Sequence, residues 1–263
     1  MPPPSLVLRE RLREEQFGPI WERDLNDVFA DVAPYYDRAN EFASLGCWNA
    51  LRKHFVSTIG LRPGARVLDV CAGTNAVGIA LLEREPGLEV QATDRSRAMQ
   101  EVGRQRARDC GFSIESVIGD VHGLPFPDNH FDIVTLQYAS RHLRIRRVAL
   151  EIRRVLKPGG RFYHCDLLRP ANPVVEQIYY AYLRGCLAVT ALFFRCGPAA
   201  LSCKRYFIDA LQMFYSVEEF SAMLREAGFE DVQATPVLAG VIGFHRASKP
   251  GSPPRCNNAA PFR

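Results

Sequence analysis

The 263-residue chain lacks a strong charge of either sign: 33 basic residues stand against 29 acidic ones, a formal net charge of +4. That balance leaves no electrostatic footprint for nucleic acid, and the scattered arginines read as a solvated surface. No apolar run approaches the ~20 residues needed to span a bilayer. The nearest candidate, Cys186 to Phe194, is too short. The opening MPPPSLVLRERLREEQ lacks the apolar core of a secretory signal, so the expected location is cytoplasmic. None of the eight cysteines forms a C-x-x-C pair, and several, such as Cys71 in RVLDVC, sit in apolar runs. Free buried thiols in a reducing compartment suit that pattern better than disulfides or a metal site, and no metal is expected.

What is present is enough for a sizeable core, since 47% of residues are hydrophobic and only 24% charged. Residues 6–16 read as a charged helix, and 21–57 carry helical periodicity with aromatics at Trp21, Phe29, Tyr35, Tyr36, Phe42 and Trp48. After the turn at 61–64 the rhythm changes to strand and helix in alternation. Strands are expected at 66–71, 88–93, 113–118, 131–139 and 161–168. Helices follow the loops at Gly73 and Ser96, and a third spans 143–156, stopped by Lys157-Pro158-Gly159-Gly160. Such alternation predicts a parallel sheet covered on both faces. Ser216 and Glu219 predict a capping box for a helix over 216–229, and two closing strands form an antiparallel hairpin. The expected organisation is an N-terminal helical cap over 1–57 and an α/β domain over 58–250. The domain carries a helical insert at about 173–215, and the tail 251–263 is expected to be disordered.

In open α/β sheets ligands bind at the carboxyl ends of the strands, where the strand order reverses. The first strand ends in Asp69-Val70-Cys71-Ala72-Gly73-Thr74-Asn75, and Asp94 closes the second strand about 20 residues on. A carboxylate there can take both hydroxyls of a ribose. The glycine loop alone is weak, because a G-x-G-x-x-G fingerprint uses the same spacing. Here Asn75 stands where a later glycine is expected. Farther on come Gly119-Asp120, LPFPDNHFDIV and RVLKPGGRF.

This order of motifs over 66–168 resembles the class I S-adenosylmethionine (SAM)-dependent methyltransferases. The resemblance implies a Rossmann-like, mostly parallel seven-stranded sheet. It implies that Asp69, Ala72 and Gly73 line the methionine part of SAM, that Asp94 and Arg95 serve the ribose, and that Asp120 and Val121 flank the adenine. Gln137 joins that cofactor set. Asn75 either places its amide near the SAM carboxylate or occupies a left-handed turn, which Asn tolerates.

The segment YDRANEFASLGCWNAL resembles the UbiE/COQ5 signature at Tyr36, Asp37, Asn40, Ser44 and Gly46 and departs from it at Ala39, Ala43, Trp48 and Leu51. RVLKPGGRFYHCDLL resembles the second signature, with Asp166 in place of Glu and Leu168 in place of Ser. The likeness extends over about 28–250 and implies C-methylation of a polyprenyl hydroquinone. The family carries an Arg-Asn pair after the fourth strand that acts at the ring. Here Arg141 matches and His142 replaces the Asn, where it can serve as a general base. Tyr36 reaches the quinol hydroxyl or is a core aromatic. The stretch 178–194 is a lid for an isoprenoid tail that docks on a membrane surface, or a helix packed on the sheet. A homodimer is compatible with the family. Two other readings stay open: a different aromatic or polyketide-like acceptor, to which the signature departures point, and a non-catalytic SAM-fold scaffold.

Overall fold

Val67, Leu68 and Val70 have no exposed surface. A strand buried on both faces has to sit in the middle of a covered sheet. These residues form β1 (Arg66–Val70), between β2 (Glu89–Asp94) and β4 (Phe131–Gln137), parallel to both. The computed structural model describes residues 6–193 and 204–251. β3 (Glu115–Ile118) lies outside β2, and β5 (Leu156–Leu167) lies beyond β4. β7 (Ile242–Ser248) runs antiparallel to β5, and β6 (Glu230–Val237) closes the sheet. The order is β3-β2-β1-β4-β5-β7-β6, so the direction of winding reverses between β1 and β4. A ligand crevice belongs at that point.

Helices cover both faces. α4 (Trp48–Ser57), α5 (Ala76–Arg84) and α6 (Arg97–Asp109) follow one another around the glycine loop and Asp94. α7 (Ile145–Val155) buries Ile145, Val148, Ala149 and Ile152 at helical spacing in a second core. The insert supplies α8 (Pro173–Phe193) and α9 (Lys204–Gln212), and α10 (Val217–Glu226) starts at the expected Ser216–Glu219 capping box. Residues 194–203 of the expected insert, and the tail beyond 251, lie outside the described residues.

The N-terminal cap is α1 (Leu6–Pro19), a π-helical turn Ile20–Asp24, α2 (Leu25–Val32) and α3 (Tyr36–Ala43), followed by α4. The helical periodicity over 21–57 is therefore interrupted. Pro34 and the positive φ of Gly46 (83°) fall at the two breaks. Phe17, Trp21 and Val28 pack on Tyr206 and Ala210 of α9. At roughly 1.5–3 kcal/mol for each fully buried large side chain, these anchors hold the cap firmly against the domain.

Two sequence expectations change. The segment Lys157–Gly160 does not end a helix in a loop; α7 stops at Val155 and the chain enters β5 at once. Gly159 N–H donates to the Lys249 carbonyl and Lys249 N–H to the Gly160 carbonyl, so pairing with the end of β7 recruits the glycines into the strand. Burial of the cysteines also differs: Cys165 is buried, Cys71 and Cys186 are half-buried, and Cys47 and Cys110 are exposed, all as free thiols.

Candidate active site

A cleft of about 160 Å³ opens at the carboxyl ends of β1, β2 and β4. The glycine loop makes its floor and the N-terminal cap makes its roof. Gly73 has φ +53°, and a Cβ there would stand 3.1 Å from Met99 Cε, so the turn favours glycine. Its N–H donates to Asp94 Oδ2 at 2.8 Å, and Ser96 N–H donates to Oδ1 at 2.7 Å. The loop thus fixes the Asp94 carboxylate in the cleft wall. Burial raises its pKa, and the N–H groups of Ser96, Gly73 and Arg95 oppose that rise. Ala72, in the same wall, donates its N–H to the Thr93 carbonyl.

Asp69 is 2% exposed. Oδ1 accepts from the Thr135 hydroxyl at 2.7 Å, whereas Oδ2 is buried with no partner. Burial pushes its pKa up to about 7. Thr93 Oγ1, Gln137 Nε2, Tyr138 Oη and His142 Nε2 are likewise buried without partners, and all five residues line the cleft. Buried polar groups without partners are rare, and five converging on one cleft mark a polar ligand site.

Asp120 caps the short turn Val121–Gly123, and Val121 is buried against the cleft. Burial opposes the Asp120 charge, yet the backbone and ring of His122 hold its pKa below the usual range. The Arg95 guanidinium donates to the carbonyls of Trp21 and Glu22, which straps the cap to the end of β2. Asn75 behaves differently from the rest. Its φ is +55° at the start of α5, its amide meets Gln100 and Ser116, and it does not line the cleft. Of the two alternatives for Asn75, the geometry is that of the left-handed turn.

Sequence reasoning missed the cap's polar tie. Thr74 Oγ1 donates to Asp37 Oδ2 at 2.8 Å, Arg106 donates to both, and Arg52 stands 3.7 Å from Asp37. Asp37 was visible as part of the YDRAN motif; the two arginines carry no local signal. Trp48, a departure from the family signature, stacks on Tyr138 with ring centroids 4.1 Å apart.

A second cavity, of about 210 Å³, lies under α3, α8 and α9. Val32, Ala39, Leu183, Leu187, Ile208 and Leu211 make it apolar. Phe29 and Tyr36 line both cavities and form the wall between them. Burial pushes the Tyr36 pKa up to about 12, so its hydroxyl stays protonated. Arg141 also lines the second cavity. It donates to Asp166 Oδ1 at 2.8 Å and to the Tyr138 carbonyl at 3.0 Å. Asp166 is fully buried, so this is not a surface ion pair. Arg13 of α1, itself buried, donates to the Arg141 carbonyl at 3.1 Å and steadies the turn Ser140–His142.

His142 lines the first cleft. Its Nδ1 meets the Tyr206 hydroxyl at 2.6 Å, and that hydroxyl also accepts from Trp21 Nε1 at 2.8 Å. Nε2 is buried without a partner. Burial, with Arg141 and Arg13 nearby, lowers its pKa well below the usual 6.5. The ring is therefore neutral throughout the working range. A general base at this position would therefore act without the titration near neutral pH of an ordinary histidine.

The sheet order, the glycine loop tied to an acidic residue at the end of β2, and the ligand cleft at the switch point define a class I SAM-dependent methyltransferase. The profile of the ubiE/COQ5 methyltransferase family matches residues 19–249, and the chain belongs to that family. The ubiquinone/menaquinone biosynthesis C-methyltransferase UbiE of Ectopseudomonas mendocina is 33% identical over 229 residues, 85% of this chain and 88% of the relative. The demethylmenaquinone methyltransferase of Anoxybacillus flavithermus is 34% identical over 232 residues, 87% and 97% of the two chains. Among solved structures, a SAM-dependent methyltransferase from Aquifex aeolicus shares the fold with a TM-score of 0.53 at 19% identity, covering 75% of this chain and 88% of its own.

Proposed function

We propose that the protein C-methylates the ring of a polyprenyl hydroquinone, with SAM in the first cleft and the quinol in the second. The observation that carries the reading is the pair of adjoining cavities. One is polar, with five buried polar groups lacking partners; the other is apolar, with Arg141 as the charged residue among its described lining. SAM supplies an electrophilic methyl group on a sulfonium. Asp94 would hold the ribose hydroxyls, Asp69 the amino group, and Gln137 and Thr93 the remaining polar edge. Asp120 and Val121 would border the adenine. Arg141 and Tyr36 would orient a quinol hydroxyl at the dividing wall, and the ring carbon then faces the first cleft. Orientation supplies most of the rate, because an electron-rich ring needs little further activation. In the tautomer whose Nδ1–H donates to the Tyr206 hydroxyl, His142 Nε2 is bare and would receive the ring proton as the ring is methylated.

The relatives named for quinone biosynthesis support this acceptor. So does the outer face of α8, where Val174, Ile178 and Tyr182 are exposed near exposed Leu45 and Phe42. Exposed apolar side chains on an element that lines the apolar cavity fit peripheral contact with a membrane. Among the described residues no helix is long and apolar enough to cross one. Quinone mass spectrometry on cells with and without the gene tests the acceptor. Loss of the gene should accumulate the ring-demethylated quinone; an unchanged quinone profile overturns the assignment. Co-sedimentation with anionic vesicles tests the membrane contact, which fails if Ile178→Asp binds as well as the parent.

A further inference from the structure

Behind Arg141, away from the cavity, lies a file of buried polar groups. Asp166 Oδ1 accepts from Arg141 and from Leu167 N–H, and Oδ2 accepts from Ser140 N–H. The Ser140 hydroxyl contacts that same Oδ2 and also His164 Nε2, the latter at 2.8 Å. His164 and His245 face each other across β5 and β7, with Nδ1 to Nδ1 at 3.1 Å. His245 Nε2 ends the file on the Val217 carbonyl at 3.1 Å. Ser140, His164 and Asp166 have no exposed surface and His245 has 3%. The His164 ring stacks on Phe220, centroids 4.0 Å apart.

Counting protons along this file gives a definite result. The side chains make four contacts in series: Asp166 to Ser140, Ser140 to His164, His164 to His245, and His245 to the Val217 carbonyl. Each needs one proton. In their ordinary states an ionised aspartate supplies none, while a serine and two neutral histidines supply one each. A carbonyl can only accept, so the His245 proton is on Nε2. Its bare Nδ1 then needs the His164 proton, and His164 Nε2 is left bare. The single serine proton is claimed by both Nε2 and the carboxylate. One contact must set lone pair against lone pair, which is costly in so buried a site.

We infer that Asp166, Ser140, His164 and His245 together hold one extra proton, so that with Arg141 they present a net charge of +1, not zero, to the quinol cavity. The four are positioning residues. Rather than being neutralised by Asp166, Arg141 keeps its full charge beside the acceptor and favours the deprotonated quinol oxygen, which makes the ring carbon a better nucleophile. This rests on the quinol reading above. Burial agrees with a proton at the Asp166 end, since it raises the pKa of Asp166 and lowers that of His164 well below its usual value. The titratable groups around the file are Arg141, Tyr36 and Tyr179 on the cavity side, Tyr138 and Cys165 beside the strand ends, and Glu218 beyond His245.

The test is a rescue. In His164→Phe the stack on Phe220 is kept but the Nε2 acceptor is gone. Ser140 then donates to an ionised Asp166, and the extra proton is released. Turnover with a short-chain demethylquinol should fall roughly tenfold, the effect of one charge lost at short range in a partly screened site. Asp166→Asn has the neutral charge of the protonated acid and its amide can donate to the Ser140 hydroxyl, although the amide nitrogen gives up the bond that Oδ2 accepts from Ser140 N–H; combined with His164→Phe it should raise turnover above that of His164→Phe alone. An ordinary ion pair between Arg141 and Asp166 predicts the opposite, a double variant worse than either single one, and that result overturns the inference. Difference infrared spectroscopy reads the proton without any acceptor. At pH 8, above the Asp69 pKa of about 7, the spectrum of the wild type minus that of Asp166→Asn or of His164→Phe should show the band of a protonated carboxyl. Its absence from the wild type refutes the extra proton even if the quinol is the substrate; its presence in a protein inactive on quinols refutes only the acceptor. Should His164→Phe fail to fold, His164→Gln can donate to Ser140 without an added proton and must also lose the band.

Discussion

Replacing Asp69 with Asn should stabilise the ligand-free protein while weakening its hold on SAM. The carboxylate is 2% exposed, and burial raises its pKa from 3.8 to about 7. A carboxylic acid with a raised folded-state pKa favours folding when protonated, and that advantage is lost as pH climbs from the unfolded value to the folded one. Three pH units at 1.36 kcal/mol each set a ceiling of about 4 kcal/mol on the destabilisation above pH 7. The Asn oxygen can still accept from Thr135, but the amide nitrogen takes the place of partnerless Oδ2. An unpaired buried amide costs ~1–3 kcal/mol, which leaves a net gain of roughly 1–3 kcal/mol. For a chain of this size that is a Tm rise of about 2–10 °C at pH 8, shrinking towards pH 5. With saturating SAM the order should reverse, because in the proposed arrangement the Asp69 carboxylate would pair with the cationic amino group and Asn cannot. Scanning calorimetry at pH 5, 7 and 8, with and without SAM, reads all of this. A variant less stable than the wild type at pH 8 without ligand, or one binding SAM equally well, would refute the reasoning.

Asp94→Ala removes the carboxylate that the glycine loop fixes in the cleft, and SAM affinity by calorimetry should drop about ten- to a hundredfold; unchanged affinity ends the ribose assignment. Arg141→Met keeps the apolar stem but not the charge. It should cut turnover at least tenfold with SAM affinity within about threefold, the mark of a group acting on the acceptor; equal losses in both would move Arg141 to the cofactor. His142 has its pKa well below 6.5, so the wild-type rate should show no histidine limb between pH 6 and 8. His142→Asn should lower turnover by the ~10²–10⁴-fold of a lost general base. An unchanged rate returns His142 to a packing role between Phe29 and Tyr206, whose rings it touches.

The α/β frame was legible because its cues are local: buried runs such as RVLDV, the capping serines at 96 and 216, and glycine where φ is positive. Asp94 and Asp120 were legible by their spacing from the strands. Sequence could not reveal Arg52 and Arg106, which reach Asp37 only through tertiary packing. Nor could it show that Arg141 pairs with Asp166, 25 residues away on β5, or that Arg95 is engaged by the cap's carbonyls. Nothing local showed that His142 is buried, or that Arg13 of α1 stands near it; that burial, with the two arginines, lowers its pKa. Asn75 could be read either way until its φ and its contact with Gln100 were known.

The most direct measurement is a single turnover with methyl-labelled SAM and a short-chain prenyl demethylhydroquinone, followed by carbon NMR of the product. The account predicts the label on a ring carbon, and transfer that drops sharply when Ala39 or Leu187 is replaced by a bulkier tryptophan that fills the apolar cavity. A label on oxygen, or transfer indifferent to filling that cavity, would contradict it.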